Sequence, residues 1–249
     1  MNGILLIDKP AGITSHDVVD RVRRALHIRR VGHAGTLDPS ATGLLILLVG
    51  TTTRQAASLL GLDKVYRATL RLGETTDTQD AQGRILRRCE VGSFTKEQVE
   101  EVCARFRGEI QQEVPAYSAI RIQGRRSYEL ARAGIEAARP TRSVVIHELK
   151  LLSVQLPEIE FEVTCSKGTY IRTLCSDLGE ALGCGGHLRQ LRRTRIGSYR
   201  IEDAVTLEEL QPPHVHEIRG VILQSPASGL VGLGLSQFQC QSQGEKPNP

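Results

Sequence analysis

The stretch that most constrains the fold of this chain is residues 32–43, which pass directly into six apolar residues at 44–49. The stretch reads Gly-His-Ala-Gly-Thr-Leu-Asp-Pro-Ser-Ala-Thr-Gly, with glycine at both ends and an Asp-Pro pair inside it. Glycine and proline in this arrangement predict a tight connection that leads into a buried strand. Such a connection would display the carboxylate of Asp38 on a rigid scaffold, which is where catalytic groups collect.

A simpler interpretation of Asp38 is a turn residue. Asp-Pro pairs are common in turns, where the carboxylate accepts backbone N–H bonds and proline fixes the next φ. Taken alone, Asp38 fits that role better than the role of a nucleophile. Two glycines and His33 precede it, however, and the loop contains no lysine or arginine to pair with it. This combination favours a functional site, and its partners must come from elsewhere in the chain.

Hydrophobic periodicity elsewhere predicts alternating strands and helices. A period of two at residues 64–72 places Tyr66, Ala68, Leu70 and Leu72 on one buried face of a strand. Helical spacing of apolar residues appears in three segments of the chain. The segments with a clear pattern are strands at 3–10, 144–154, 159–165 and about 196–201, and helices at about 15–26, 96–107 and 169–182. The alternation is typical of a mixed α/β or α+β domain with a largely antiparallel sheet.

Composition excludes several classes of protein. The chain has 249 residues and is 40% hydrophobic, enough to build a core. No segment approaches the roughly 20 apolar residues of a membrane helix, and the start of the sequence lacks the pattern of a signal peptide. A cytoplasmic protein that does not interact with membranes is therefore expected. Residues 212–249 are rich in Gly, Ser, Gln and Pro and are expected to be loosely ordered.

Arginine is concentrated in three parts of the sequence. Each group could be a solvated helix face, which is the usual role of a run of charges. Three separate groups favour a polyanionic partner, because guanidinium groups match phosphate oxygens, and nucleic acid is the leading class. With five Tyr, four Phe and no Trp, broad base-stacking surfaces are not expected. The groups are Arg21, Arg23, Arg24, Arg29 and Arg30; Arg121, Arg125, Arg126, Arg132, Arg139 and Arg142; and Arg189, Arg192, Arg193, Arg195 and Arg200.

Five motifs occur in a characteristic order. They are GILLIDKPAG at residues 3–12 followed by Thr14-Ser15, GHAGTLDP at 32–39, KVY at 64–66, YSA at 117–119, and GTYIRTL at 168–174. In this combination and order the chain resembles the bacterial TruB family of tRNA pseudouridine synthases. The resemblance covers roughly residues 3–210.

The resemblance implies a fold and a reaction. The fold would be the pseudouridine synthase fold: a large, mostly antiparallel sheet flanked by helices, in a catalytic domain at residues 1–211 with a basic, RNA-clamping insertion at about 114–142. Residues 212–249 would be a short, atypical tail without a complete C-terminal RNA-binding domain. The reaction would be isomerisation of the uridine at position 55 in the T-loop of tRNA, after the base has been flipped out. No cofactor or metal is implied, and a monomer without an obligate protein partner is expected.

The resemblance also assigns roles to individual residues. Asp38 would be the catalytic nucleophile, attacking either the base or the anomeric carbon of the sugar, and the sequence does not choose between these routes. Tyr66 would stack on the flipped base and assist proton removal, and Arg172 would pair with Asp38 and keep it ionised. The substrate-binding positions would be His33, Tyr170, Leu191, and Lys9 and Pro10 of the supporting amino-terminal motif.

Two other classes of function remain in view. A non-catalytic RNA-binding protein or tRNA-folding chaperone could use the same scaffold, although the presence of Asp38 counts against it. The guide-RNA-dependent, dyskerin-like branch shares the aspartate motif. That branch is expected to have partner proteins and a C-terminal RNA-binding domain and to lack the basic insertion. The short tail and the basic insertion expected in this chain both count against it.

Overall fold

The computed structural model describes residues 1–118, 120–122, 124–135 and 137–210. Short 3₁₀ helices lie at Gly50–Gln55 and at Ile201–Asp203. The α-helices are α1 (Ser15–Leu26), α2 (Ala56–Leu60), α3 (Lys96–Ala104), α4 (Ser127–Arg132) and α5 (Ile171–Ala181). The strands are β1 (Gly3–Lys9), β2 (Val31–Ala34), β3 (Thr42–Val49), β4 (Lys64–Leu72), β5 (Glu74–Thr76), β6 (Ile85–Arg88), β7 (Gly108–Glu113), β8 (Arg121–Ile122), β9 (Arg125–Arg126), β10 (Thr141–Gln155), β11 (Glu158–Cys165), β12 (Gly186–Ile196) and β13 (Tyr199–Arg200).

One large sheet organises the described residues. Its strand order is β1-β3-β12-β4-β11-β10-β7, with β2 also paired to β3 and β13 to β12. Every pairing of its strands is antiparallel except the short parallel contact of β12 with β3, where Arg192 lies opposite Thr42 and Arg193 opposite Gly43. Two small hairpins, β5–β6 and β8–β9, lie outside this sheet. The prediction of a mixed α+β fold with a largely antiparallel sheet is confirmed.

The core follows from the predicted patterns. On β4, the alternating residues from Tyr66 to Leu72 are buried together with Phe161 of β11 and Leu174 of α5. The continuous apolar run of β3 is buried along its length, as expected for a strand covered on both faces. Val18 and other residues of the apolar stripe of α1 pack with one side of β1 and β3 in a second cluster. Leu37 and Ala41, on the two sides of Asp38 in the sequence, belong to the first cluster.

Local sequence signals define the starts of two helices. Thr14 is the N-cap of α1 and forms a capping box with Asp17, and Thr95 forms the same arrangement with Gln98 at the start of α3. Ser15 is the first residue of α1 and is buried. Its hydroxyl is therefore available for another contact.

The end of the predicted domain differs from expectation. The basic segment 187–195 belongs to β12, a strand in the middle of the sheet, and the strand expected at about 196–201 is reduced to the two residues of β13. Residues 212–249, predicted to form a loosely ordered tail, lie outside the described residues. Where the chain is described, no helix has both the length and the apolar character needed to cross a membrane.

Candidate active site

Asp38 lies in a loop that joins β2 to β3. The loop is bounded by Gly35 and Gly43, whose φ values are +90° and +102°, a backbone conformation that favours glycine. The side chain of Asp38 is 40% exposed. The predicted display of this carboxylate on a tight connection is what the structure shows.

Lys9 supports this loop from behind. Its ammonium is completely buried and donates to the carbonyl oxygens of Pro10 (2.8 Å), Ile13 (2.8 Å) and Pro39 (3.2 Å). Burial lowers the pKa of Lys9 to about 8, and the nearby Asp38 carboxylate partly opposes that effect. All three donors are used, so this placement fits a supporting role better than direct contact with RNA. Pro10 is exposed and contributes its carbonyl oxygen to this arrangement.

Ser15 fixes the same loop from α1. The backbone N–H of Leu37 donates to Ser15 Oγ at 2.9 Å, and the hydroxyl donates back to the Leu37 carbonyl at 3.1 Å. The Gly12 N–H bonds the Pro39 carbonyl at 2.8 Å. The residues on both sides of Asp38 are thus tied to the amino-terminal segment. The sequence analysis assigned no role to Ser15 itself.

Arg172 brings a cation to Asp38. Its Nε lies 3.0 Å from Oδ2 of Asp38. Its Nη1 donates to the Thr78 carbonyl at 3.1 Å, and its Nη2 to the Tyr117 carbonyl at 3.0 Å. The side chain is buried, because the first turn of α5 lies beneath two loops that come from distant parts of the chain. The resemblance to the family implied that Arg172 pairs with Asp38, and the structure places the two side chains in contact.

Asp80 is a site residue that the sequence did not single out. Its Oδ2 lies 4.0 Å from Nη1 of Arg172, and its side chain is only 13% exposed. Its Oδ1 accepts from Thr78 Oγ1 at 2.6 Å and from the Gln82 N–H at 3.0 Å. The turn that contains Thr78 and Asp80 closes over the first turn of α5. The pairing of Asp80 with Arg172 follows from the position of α5 in the fold, and no local sequence pattern indicates it.

Tyr66 lies on β4, opposite Arg193 of β12. Burial raises the pKa of the Tyr66 hydroxyl, and interaction with the Arg193 guanidinium acts in the opposite direction. The charge of Asp38 also raises this pKa, since a second negative charge nearby disfavours the phenolate. The tyrosine is therefore electrostatically linked to the loop of Asp38.

His33 lies on β2, immediately before that loop. Burial lowers the pKa of its imidazole, and the charge of Arg193 adds to the effect. Its buried Nδ1 has no hydrogen-bond partner among the residues that the structure describes. The imidazole therefore favours the neutral form.

Tyr170 precedes α5 and is held at both its backbone and its ring. The fully buried amide of Gln112 accepts from the Tyr170 N–H at 3.0 Å and donates to its carbonyl at 3.2 Å. The guanidinium of Arg142 lies over the ring, 5.2 Å from its centre. Tyr170 therefore connects the end of the insertion, residues 114–142, to the helix that carries Arg172.

A small cavity lies beside Asp38. Its volume is about 10 Å³, and Asp80, Leu188, Arg189 and Leu191 are among the residues that line it. A space of that size holds about one water molecule. The cavity is therefore too small to hold a nucleobase. Asp38, Asp80 and Leu191 thus share one cavity wall, while Lys9 lies behind the loop.

The third arginine group is not a single exposed patch. Arg193 is buried, Arg192 forms two hydrogen bonds with Asp8, and Arg189 pairs with Glu158. The alternation of side chains along β12 places these arginines on different faces of the sheet. Arg193 therefore cannot contact a polyanion, whereas Arg189, Arg195 and Arg200 are exposed, and the role of this group in binding a polyanion stays a prediction.

In the second group, most of the arginines lie on the insertion. Arg126 and Arg132 both lie over the ring of Tyr128, at 5.9 and 5.7 Å from its centre. Arg121 and Arg125 are exposed on the β8–β9 hairpin. This surface remains a predicted RNA contact.

Two family models match the chain. The model described as TruB family pseudouridylate synthase (N terminal domain) matches residues 23–171, and the model described as tRNA pseudouridylate synthase B C-terminal domain matches residues 172–223. Among curated relatives, tRNA pseudouridine synthase B of Syntrophotalea carbinolica is 49% identical over 232 residues, covering 92% of this chain and 75% of the relative. The protein of the same name from Opitutus terrae is 44% identical over 234 residues, covering 93% of this chain and 97% of the relative.

Solved structures support the same assignment of fold. A chain in the crystal structure of a Cbf5-Nop10-Gar1 complex matches with a TM-score of 0.66 and 31% identity, over 83% of this chain and 53% of that chain. A chain in the structure of an H/ACA RNP bound to a substrate RNA containing 2'-deoxyuridine matches with a TM-score of 0.65 and 28% identity, over 88% of this chain and 55% of that one. The protein spans about half the length of these solved chains. On the strength of the family models and the relatives, the chain belongs to the TruB family of pseudouridine synthases.

Proposed function

We propose that this protein isomerises uridine to pseudouridine in tRNA, acting at position 55 of the T-loop with Asp38 as the nucleophile. The curated relatives carry the name tRNA pseudouridine synthase B, which supports the class of reaction and of substrate. The observation that carries the proposal is the pairing of a half-exposed Asp38 with the buried Arg172 at the wall of a cavity.

The pairing suits a nucleophile. Arg172 is held by two backbone carbonyls and has little freedom, so it keeps one oxygen of the Asp38 carboxylate in place. The exposed part of the carboxylate remains free to attack the target nucleotide, at the base or at the anomeric carbon. Holding the reacting group in a defined geometry removes much of the entropic barrier.

The other predicted residues act around this pair. Tyr66 contacts the base and takes part in proton removal, and Leu191 lines the cavity. His33 and Tyr170 complete the pocket for the flipped nucleotide. Lys9 and Pro10 support the loop, and Lys9 does so through hydrogen bonds to the backbone.

The protein must also extract the base from folded RNA. Flipping costs a few kcal/mol, which contacts to the RNA backbone must offset. The exposed arginines of the insertion are placed to supply these contacts, and they extend from the segment that holds Tyr170 through Arg142. We expect the catalytic domain at residues 1–211 to perform the reaction without a guide RNA or an obligate protein partner.

Tritium release tests the proposal. Unmodified tRNA transcript labelled at C5 of uridine is incubated with the purified chain, and released tritium is counted. We expect release from the full transcript and none when the uridine at position 55 is replaced by cytidine. Equal release from both transcripts would refute the T-loop assignment, and release only after guide RNA is added would support the dyskerin-like alternative. Binding without release would support the chaperone alternative.

A further inference from the structure

Arg193 is a buried cation for which the proposed reaction has not accounted. It lies on β12 and is 1% exposed. In the described part of the chain its guanidinium bonds backbone carbonyls and not a carboxylate, since Nε donates to Leu44 at 2.8 Å and Nη2 to Gly35 at 3.0 Å. Burying a charge without an opposite charge is costly. A residue placed in this way has a specific structural task.

The two carbonyl acceptors lie at the two ends of the loop that carries Asp38. Gly35 opens the loop, and Leu44 follows Gly43, which closes it. A Cβ atom on Gly43 would lie 2.2 Å from the backbone oxygen of Arg193, so strand β12 also packs directly against that end. The side chain of Arg193 closes the gap between the ends, because a planar guanidinium can donate in two fixed directions at once.

The same side chain reaches Tyr66. The two residues lie opposite each other in the pairing of β12 with β4, and the guanidinium favours the ionised tyrosine. Arg193 is therefore in contact with both ends of the Asp38 loop and with the aromatic residue proposed to face the base. Arg172, in contrast, contacts the Asp38 carboxylate itself.

We propose that Arg193 is a positioning residue of the isomerisation, which sets the location of the Asp38 loop relative to Tyr66. The inference rests on the proposed function, and it assigns to Arg193 no contact with the RNA, because the side chain is buried. A displacement of about 1 Å in a reacting group can cost on the order of 10²-fold in rate. If this positioning is disturbed, we therefore expect the rate of the chemical step to fall while the affinity for tRNA is retained.

Arg193→Lys tests this role, because a single ammonium keeps the charge but cannot bond both carbonyls in the same geometry. The single-turnover rate is measured with enzyme in excess, tRNA affinity by filter binding and folding by thermal unfolding. We expect the rate to fall by about 10²-fold while the Kd for tRNA changes by less than about 3-fold. Lys150→Met, which removes an exposed cation on β10, is the control and should retain the wild-type rate.

Gly35→Ala disturbs the same contact between Arg193 and the Asp38 loop, this time by a change in the loop itself. The φ of +90° at Gly35 is strained for a residue with a side chain. The added Cβ would lie 3.5 Å from Nη1 of Arg193, an ordinary van der Waals distance, so no clash is expected. If Arg193 acts through Gly35, the double variant should lose little more rate than the more impaired single variant. If Arg193→Lys does not fold, Gly35→Ala alone must lower the rate with binding retained.

Three results would overturn the inference. They are a wild-type rate in folded Arg193→Lys, a rate loss matched by an equal loss of tRNA binding, and independent, multiplicative effects in the double variant. Tritium release by the wild type is established first. Absence of release there refutes the proposed function and this inference with it, whereas an active wild type with an equally active Arg193→Lys refutes the inference alone.

Discussion

Nε of Arg172 lies 3.0 Å from Oδ2 of Asp38, although the arginine side chain is 7% exposed and the aspartate side chain 40%. The buried partner is fixed by the carbonyls of Thr78 and Tyr117, so the ion pair is anchored on one side only. A carboxylate held in this way is oriented before any substrate binds and needs no reorganisation when the reaction begins.

Asp38→Asn is expected to abolish tritium release and to leave tRNA binding within about 3-fold of wild type, because phosphate contacts dominate affinity for nucleic acid. Release and filter binding are measured on the same preparation. Asp63→Asn is the matched control, since Asp63 is exposed and pairs with His147 at 3.3 Å, outside the site of Asp38. Retention of activity in Asp38→Asn would remove the nucleophile from the proposed mechanism.

Arg172→Lys should lower both stability and rate. Lysine cannot serve Asp38 and two carbonyls at once, and the acceptors left unpaired in the interior cost about 1–3 kcal/mol each. We expect the free energy of unfolding in urea to fall by about 2–4 kcal/mol and the single-turnover rate by more than about 10²-fold. Arg105→Lys, at an exposed position after α3, should change neither. Wild-type stability of Arg172→Lys would contradict the buried network.

Gly43→Ala should destabilise the protein more than an alanine at another glycine with positive φ. At Gly43 the added Cβ would lie 2.2 Å from the Arg193 carbonyl oxygen, in addition to the strain of a φ of +102°. At Gly108, with a φ of +88°, the added Cβ would meet no atom within 4 Å. We expect Gly108→Ala to cost about 1–2 kcal/mol and Gly43→Ala at least about 3 kcal/mol. Equal losses in urea unfolding would contradict the close approach of β12 to this loop.

Asp177 makes folding stability depend on pH. Burial raises the pKa of Asp177 to about 6, and the nearby charges of Glu113 and Glu180 contribute to the shift. The folded state therefore binds a proton more tightly than the unfolded state, whose pKa is near 3.8. Through this group, stability falls as the pH rises from about 4 to about 6, and the full cost is present above that window.

Asp177→Asn removes that cost. We expect a gain of about 1–3 kcal/mol in the free energy of unfolding near neutral pH, and no gain below about pH 4, where the wild-type carboxyl is protonated in both states. Glu101→Gln, exposed on α3, should give no such pH dependence. A gain that is the same at pH 4 and pH 7 would show that the effect does not come from titration of Asp177.

Binding of tRNA should weaken steeply with salt. Each phosphate contact adds roughly one unit to the slope of log K against log salt concentration, so Arg125→Gln on the exposed hairpin should reduce the slope by about 1. Arg105→Gln, outside the insertion, should leave the slope unchanged. A flat salt response of the wild type would contradict phosphate contact by the arginines of the insertion.

The sequence predicted the parts of the fold that depend on local periodicity. The alternation on β4, the apolar stripe of α5 and the capping box at Thr95 each signal their own element, and each is present. It also predicted a displayed Asp38, because glycine and proline mark the loop. The resemblance to the family supplied the pairing of Asp38 with Arg172.

The sequence could not show which charged residues are buried. Arg193 lies in a run of polar residues typical of an exposed segment, and Arg172 lies off the apolar stripe of α5, yet both are buried by segments up to about 160 positions away, as in the bond from Arg193 to Gly35. Asp80 reaches the site because the loop of residues 73–83 folds over α5. These placements arise from the order of strands in the sheet, for which no local pattern carries information.

The position of β12 has a consequence for how the protein assembles. This strand comes late in the sequence, yet in the sheet it lies between β3 and β4, which come early in the sequence. Until it docks, β4 and the first two residues of β3 have unpaired backbone groups on the edges that face it, and the contacts that close these edges span more than a hundred residues. Contacts of such high order slow folding and prolong the exposure of strand edges to aggregation. Because β12 carries Arg193, the loop of Asp38 gains its contacts with this side chain only when β12 has docked between β3 and β4.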